Sequence, residues 1–172
     1  MEKGREFLRA QVNNAIMLHQ TLLENLEDHI KQADDTRYRD LCQRYQAKMK
    51  GHQRTLEEYG TSIGAEGATG VKKALGVALG KARDVVDSMR ETDFLRVVGD
   101  IVTIRQAQDT FATFAVAGDK IGEPRLSEIG RTCERDHDEM QRDFNALIQT
   151  MFVAHVLATG AGAAADARPE AR

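Results

Sequence analysis

The chain has 172 residues, of which 41% are hydrophobic and 30% charged, enough apolar material for one domain with a sizeable core and too much for wholesale disorder. A formal net charge of −3, without a basic stripe interleaved with aromatics, argues against nucleic acid or an anionic membrane surface as partner. No apolar run approaches the ~20 residues a membrane span needs, and Met1–Glu6 is charged where a signal peptide needs an apolar stretch, so a cytoplasmic location is expected by default.

With 2 Pro and no strand-like alternation of useful length, the chain reads as long helices. The first is predicted over about Arg5 to Gln32, where Leu8, Val12, Ala15, His19, Leu22, Leu26 and Ile30 recur at three- and four-residue steps and share one face. Ala33-Asp34-Asp35-Thr36 breaks it, and Asp35 or Thr36 can cap the next start. The second is predicted over about Arg37 to Tyr59, with Tyr38, Leu41/Cys42, Tyr45, Met49, His52, Leu56 and Tyr59 as its stripe and Gly60 as its stop.

The Gly-rich, aperiodic stretch Thr61–Gly70 reads as a loop, and a smaller helix is expected from about Val71 to Arg90. Next comes a helix over about Asp93 to Gly118, with the stripe Phe94, Val97/Val98, Ile101, Ile104, Gln108, Phe111 and Ala115. Gly122-Glu123-Pro124 is a stop-and-restart signal. The last helix is expected from about Arg125 to Thr159, turning Leu126, Ile129, Cys133, His137, Met140, Phe144, Leu147 and Met151 inward. From Gly160 the composition becomes Gly/Ala-rich with Pro169, so residues 160–172 are expected to be a disordered tail beside a domain of residues 1–159.

Short connections make each outer pair of helices an antiparallel hairpin, and the long middle stretch can carry the chain from one end of the bundle to the other. The expected fold is therefore an all-α four-helix bundle with a crossover helix between the second and third bundle helices. In that arrangement four inward positions are polar: His19, His52, Gln108 and His137. Each lies roughly 21–26 Å from its own hairpin turn in a bundle some 40–45 Å long, so all four fall near the middle layer.

Imidazoles converging from separate helices suit zinc, copper, iron or nickel, and Glu134 with His137 forms a Glu-x-x-His pair on one helix face. The structural alternative is a hydrogen-bonded polar layer that fixes helix register. Cys42 and Cys133 read as buried free thiols, the Tyr38/Tyr45/Tyr59 series as core edge, and His29 and His155 as residues without a role. No Ser/His/Asp or Cys/His nucleophile arrangement and no phosphate-binding loop is present, so no catalytic residue is assigned.

The two hairpins, the crossover, and the string Lys50-Gly51-His52 followed by Leu56-Glu57 resemble the ferritin-like superfamily, and most closely its YciE/YciF-type branch, over about Phe7 to Leu147. The resemblance implies a metal site built from a carboxylate on the first helix, Glu-x-x-His on the second, a carboxylate on the third and a second Glu-x-x-His on the last. Carried onto this chain, His19 stands at the first carboxylate position, Met49 and His52 at the second-helix pair, and Gln106 or Gln108 at the third carboxylate; only Glu134 and His137 match in full. Two close ions need several anionic oxygens to offset their repulsion, and this set offers one carboxylate. The implied site is degenerate: one ion (Zn or Fe) on His19, His52, Glu134 and His137, or none.

Three functions follow as expectations. The first is a ferritin-like binding or stress-associated protein holding one metal ion or none, paired as a homodimer along its first hairpin as the family often is. The second is a metal-free structural or interaction module with an unknown protein partner. The third is a di-iron oxidase or peroxide-handling enzyme.

Overall fold

A computed structural model describes residues 2–65 and 92–166 of the chain. It places four α-helices there and no strand: α1 (Glu2–Gln32), α2 (Thr36–Ser62), α3 (Asp93–Ile121) and α4 (Pro124–Asp166). The helix expected over about Val71–Arg90 lies outside the described residues. α1 packs on α2 and α3, and α4 packs on α2 and α3, so the helices close a ring in the order α1–α2–α4–α3. None of the described helices is long and apolar enough to cross a membrane.

The two hairpin turns sit at opposite ends, as the polar-layer argument requires. At one end the α1–α2 turn docks on the start of α3, where Asp93 Oδ2 accepts from the backbone N–H of Asp34 at 2.8 Å and of Asp35 at 2.7 Å. The Asp35 N–H, at the N-cap, is one that a helix start leaves unpaired, and the Asp34 N–H belongs to the turn itself. At the other end the α3–α4 turn lies beside the end of α2, where the Glu123 carboxylate is near enough to Tyr59 to help push its phenol pKa up, after burial. α2 and α3 therefore run parallel, and the chain between them joins opposite ends of the bundle.

Asp35 caps α2, its side chain accepting from Arg37 N–H at 2.9 Å. The expected stop at Gly60 is not used. Gly60 is buried inside the helix, and the chain leaves the helix at Ile63–Gly64, where Gly64 takes the left-handed φ of +73°. At the other terminus α4 continues helical through Asp166, beyond the Thr159 boundary expected from composition.

The stripes predicted for α1, α2 and α4 are the buried faces. On α3 the register differs. Val97, Asp100, Ile104, Ala107, Phe111, Phe114, Ala115 and Gly118 turn inward, so Gln108 stands at a flank. The cause is the seam with α4. A side chain at Gly118 would meet Ser127 N at 2.4 Å, and one at Gly130 would meet Ala115 N at 2.3 Å, so glycines here set a backbone-to-backbone approach that fixes the rotation of α3.

The core falls into two apolar clusters. One contains Leu22, Leu26, Tyr38, Tyr45, Met49, Ile104, Met140 and Phe144; the other contains Val12, Ile16, Leu56, Ala107, Phe111, Leu126, Ile129 and Cys133. On every helix the divide falls at the same height: Ile16/Leu22, Leu56/Met49, Ala107/Ile104 and Cys133/Met140. His19, His52 and His137 occupy that divide. Phe7 is the large exposed hydrophobic of the first hairpin, while Leu95, Val98, Val102, Val116, Ile121, Phe152, Val153, Val156 and Leu157 lie on α3 and α4.

Candidate functional site

His19, His52 and His137 meet in the bundle centre. Their ring centroids are 5.2 Å apart for His19–His137, 5.9 Å for His52–His137 and 6.4 Å for His19–His52. His19 and His137 are fully buried and His52 is 8% exposed. Phe111, from α3, lies against the His19 and His137 rings at 5.8 and 5.1 Å.

Each ring has one nitrogen anchored on an acceptor. His137 Nδ1 donates to the Cys133 carbonyl one turn back at 2.7 Å. His52 Nε2 donates to the Asp136 carboxylate at 3.0 Å. His19 Nδ1 donates to Gln53 Oε1 at 3.0 Å. The Gln53 amide is held in that orientation because its Nε2 donates to Glu57 at 2.7 Å and to the Ile16 carbonyl at 3.4 Å. Acceptors at these three positions fix the tautomers, so His19 Nε2, His52 Nδ1 and His137 Nε2 carry lone pairs. Those are the three ring atoms that are buried without a hydrogen-bond partner.

Burial also keeps the rings neutral. It pulls His19 down to about 3, helped by the neighbouring His137 and opposed by the Gln53 bond. It pulls His137 down to about 4, against the Cys133 carbonyl. It lowers His52 as well, with Asp136 opposing. Neutral imidazole is the metal-binding form, and a ring whose far N–H is held by a carboxylate, amide or carbonyl is oriented as ligating histidines are.

The remaining sequence-predicted residues stand elsewhere. Glu134 is half-exposed on the rim of α4, and Met49 is fully buried in the apolar cluster beside the layer. Gln106 faces outward on α3, in a shallow groove with Val102, Arg105, Asp109, Thr110 and Thr113, because the α3–α4 glycine seam turns it there. Gln108 donates to Asp138 at 3.1 Å on the flank, with its Oε1 buried and unpartnered. Neither glutamine joins the imidazole layer. Among the described residues, no group of three or more His, Cys, Asp or Glu is disposed as placed to hold a metal ion.

Two supporting residues escaped sequence reasoning. Gln53 and Asp136 sit next to His52 and His137 in sequence, and neighbours on a helix point to different faces. Asp136 therefore reaches across to α2 while His137 points inward.

A second buried polar group was missed entirely. Tyr38, His29 and Asp100 join α2, α1 and α3 near the α1–α2 turn: Tyr38 OH donates to Asp100 Oδ2 at 2.6 Å, His29 Nδ1 lies 2.9 Å from the same oxygen, and the Tyr38 oxygen is 2.7 Å from His29 Nδ1. Asp100 is fully buried, and its Oδ1 has no partner. Burial and the Asp100 charge push the Tyr38 phenol far above its usual value, which keeps it a donor.

Both cysteines are buried free thiols, as expected. Burial raises Cys133 to about 12, with the Asp136 charge adding to it, and raises Cys42 further, so neither is a ready nucleophile.

A cleft of about 200 Å³ opens between α2 and α4 over one edge of the imidazole layer. His52, Cys133 and Ile129 form its floor, with Thr55, Thr132, Arg125 and Glu128 around them.

No known family profile matches the chain, and no curated protein matches it. Among solved structures, it is similar to a two-domain protein from Anabaena variabilis that contains DJ-1/ThiJ/PfpI-like and ferritin-like domains, with a TM-score of 0.63 and 16% identity over 87% of this chain. The chain spans 38% of that protein's length. At this identity the likeness speaks to fold alone: the architecture is a ferritin-like helical bundle.

Proposed function

We propose that this ferritin-like bundle binds a single transition-metal ion through His19, His52 and His137, in place of a carboxylate-rich pair of ions. What supports the reading is the set of three orphaned lone pairs, on rings from three helices, each anchored through its other nitrogen. An isolated unpaired polar atom in a core costs on the order of 1–3 kcal/mol, and a shared ion offsets three such costs at once.

The donor chemistry fits one ion and does not fit two. Three neutral nitrogens suit zinc, copper, iron or nickel. A pair of ions needs bridging carboxylates, and Asp136 is already bonded to His52 while Glu134 is half-exposed. With metal–nitrogen bonds of 2.0–2.1 Å, three imidazoles round one ion have centroids about 5–5.5 Å apart. His19 and His137, at 5.2 Å, already meet that spacing. His52 stands about 1 Å too far out, so the reading requires its ring to move inward on binding. Glu134 is the fourth donor closest in sequence, one helical turn before His137.

The test is stoichiometry. Protein freed of metal and reloaded with Zn(II) is expected to retain one ion per chain after desalting, measured by elemental analysis. The His52→Ala/His137→Ala double variant is expected to retain none.

A metal-free polar layer is the second reading, favoured by the Phe111 ring against His19 and His137 and by the open spacing of His52. It predicts that neither Zn(II) nor chelator moves the melting temperature.

A further inference from the structure

α3 is on average the most apolar of the four described helices, yet its apolar residues do not gather on one side. Val97, Ile104, Phe111 and Phe114 fill the bundle, while Leu95, Val98, Val102 and Val116 point away from it, Val102 and Val116 each 63% exposed. A helix that is apolar on both sides is suited to being covered on both.

The outward residues have a spacing. From Val98, the residues Val102, Arg105, Asp109, Ala112 and Val116 follow at alternating four- and three-residue steps, and Leu95 extends the row. That is the seam of a two-stranded coiled coil. Read antiparallel, it is complementary to itself. Laid against a second copy about a two-fold axis, Val98 faces Val116 of the second copy, Val102 faces its Ala112, and Arg105 faces its Asp109, each contact made twice.

The charges select this pairing. Arg105 Nε lies 3.1 Å from Asp109 Oδ1 within the chain, both side chains are more than 60% exposed, and such a pair rearranges at little cost. Two copies then bring two arginines and two aspartates together in alternation. A parallel pairing would set Arg105 against Arg105 and Asp109 against Asp109, and an antiparallel pairing slipped by one heptad would press both charges against apolar residues. Ala112 stands one turn after Gln108, which bonds Asp138 of α4, so the seam borders α4. The chain leaves α2 on the opposite flank, beside α1, where Arg9 Nε donates to the Ile63 carbonyl at 2.7 Å.

We propose that the outward face of α3 is a self-association surface: two copies of this chain pair along Leu95–Val116 as an antiparallel, two-fold-symmetric dimer whose register is set by Arg105 and Asp109. One helix seam per chain is a small interface, so dissociation in the micromolar range is expected.

Sedimentation velocity of the full chain over a dilution series, with chelator present so that no ion bridges two copies, tests this. The parent is expected to show a monomer–dimer equilibrium. Arg105→Asp and Asp109→Arg each create two like-charge contacts at the seam centre and should weaken the dimer at least about tenfold. Mixed in equal amounts, the two variants face each other with opposite charges again and should form a heterodimer about as tight as the parent dimer. Val116→Asp, at an exposed position, should weaken the dimer by a second route, and Arg44→Asp, on the diagonal helix α2, should leave it unchanged. Thermal melting by circular dichroism checks that each variant folds. A parent that stays monomeric at sub-millimolar concentration overturns the proposal. So does a dimer that the α3 substitutions leave intact, or a charge-variant mixture that does not associate.

Discussion

His52 and Asp136 face each other across the α2–α4 seam, Nε2 to carboxylate at 3.0 Å, and this contact turns the bare ring nitrogen of His52 toward the bundle centre. Asp136 is at once the orienting partner of one imidazole and, among the described residues, the carboxylate bonded directly to a ring of the layer. Replacing it with Asn keeps the shape and removes the charge. Metal affinity is then expected to fall 10–100-fold, the usual cost of losing an outer-shell partner. The His52 pKa should fall further, because Asp136 is what holds it up. Zn(II) titration and histidine NMR against pH check the two effects separately.

Acid should destabilise the metal-free protein through the same rings. His19 and His137 titrate near 3 and 4 when folded and near 6.5 when unfolded. Between those values the unfolded state binds more protons, so stability rises with pH across the window. Full stability is present above about pH 6.5 and is lost progressively as pH falls toward 4. By pH 5 the cost is about 2 kcal/mol for each of these two rings. Urea unfolding at pH 7, 6 and 5, with chelator present, measures it; a flat profile would contradict the neutral buried state.

His137→Leu separates the contribution to binding from the contribution to stability. The substitution removes an unpartnered lone pair, and the Cys133 carbonyl it leaves is still within the helix. The metal-free variant is expected to be as stable as the parent or more so, by up to about 2 kcal/mol. Its melting temperature should no longer rise with Zn(II), whereas the parent's should.

The Tyr38–His29–Asp100 group gives the opposite pattern. Asp100→Ala removes the shared acceptor of two buried donors that tie three helices together, and it should cost about 3–5 kcal/mol. Tyr38→Phe removes one donor and should cost about 1 kcal/mol. Neither should alter Zn(II) stoichiometry, because this group lies near the α1–α2 turn, about 15 Å of helix rise from His19. Chemical denaturation and elemental analysis together distinguish a local structural role from a connection to the imidazole layer.

Three of the four helix faces were legible in the sequence because their stripes are unambiguous: His19, His52 and His137 each interrupt an otherwise apolar row. Counting residues from the two turns sufficed to bring those rings to one level. The third bundle helix was misread because Ile101, Val102 and Gln108 permit a second rotation. What selects the actual one is the close approach at Gly118 and Gly130, a tertiary contact with no periodic signature. That rotation hides Asp100 and displaces Gln106 and Gln108. His29 was passed over as a helix-end residue because its partners, Tyr38 and Asp100, come from separate helices. Gln53 and Asp136 were invisible to stripe reasoning because they act sideways, between helices.

The central claim concerns three particular nitrogens, so the most direct measurement is long-range proton–nitrogen NMR of the histidine rings during titration with Zn(II). The expected result is that His19 Nε2, His52 Nδ1 and His137 Nε2 shift together at one equivalent, while His19 Nδ1, His52 Nε2 and His137 Nδ1 stay protonated. Shifts confined to His29 or His155, or no shift at excess Zn(II), would contradict it.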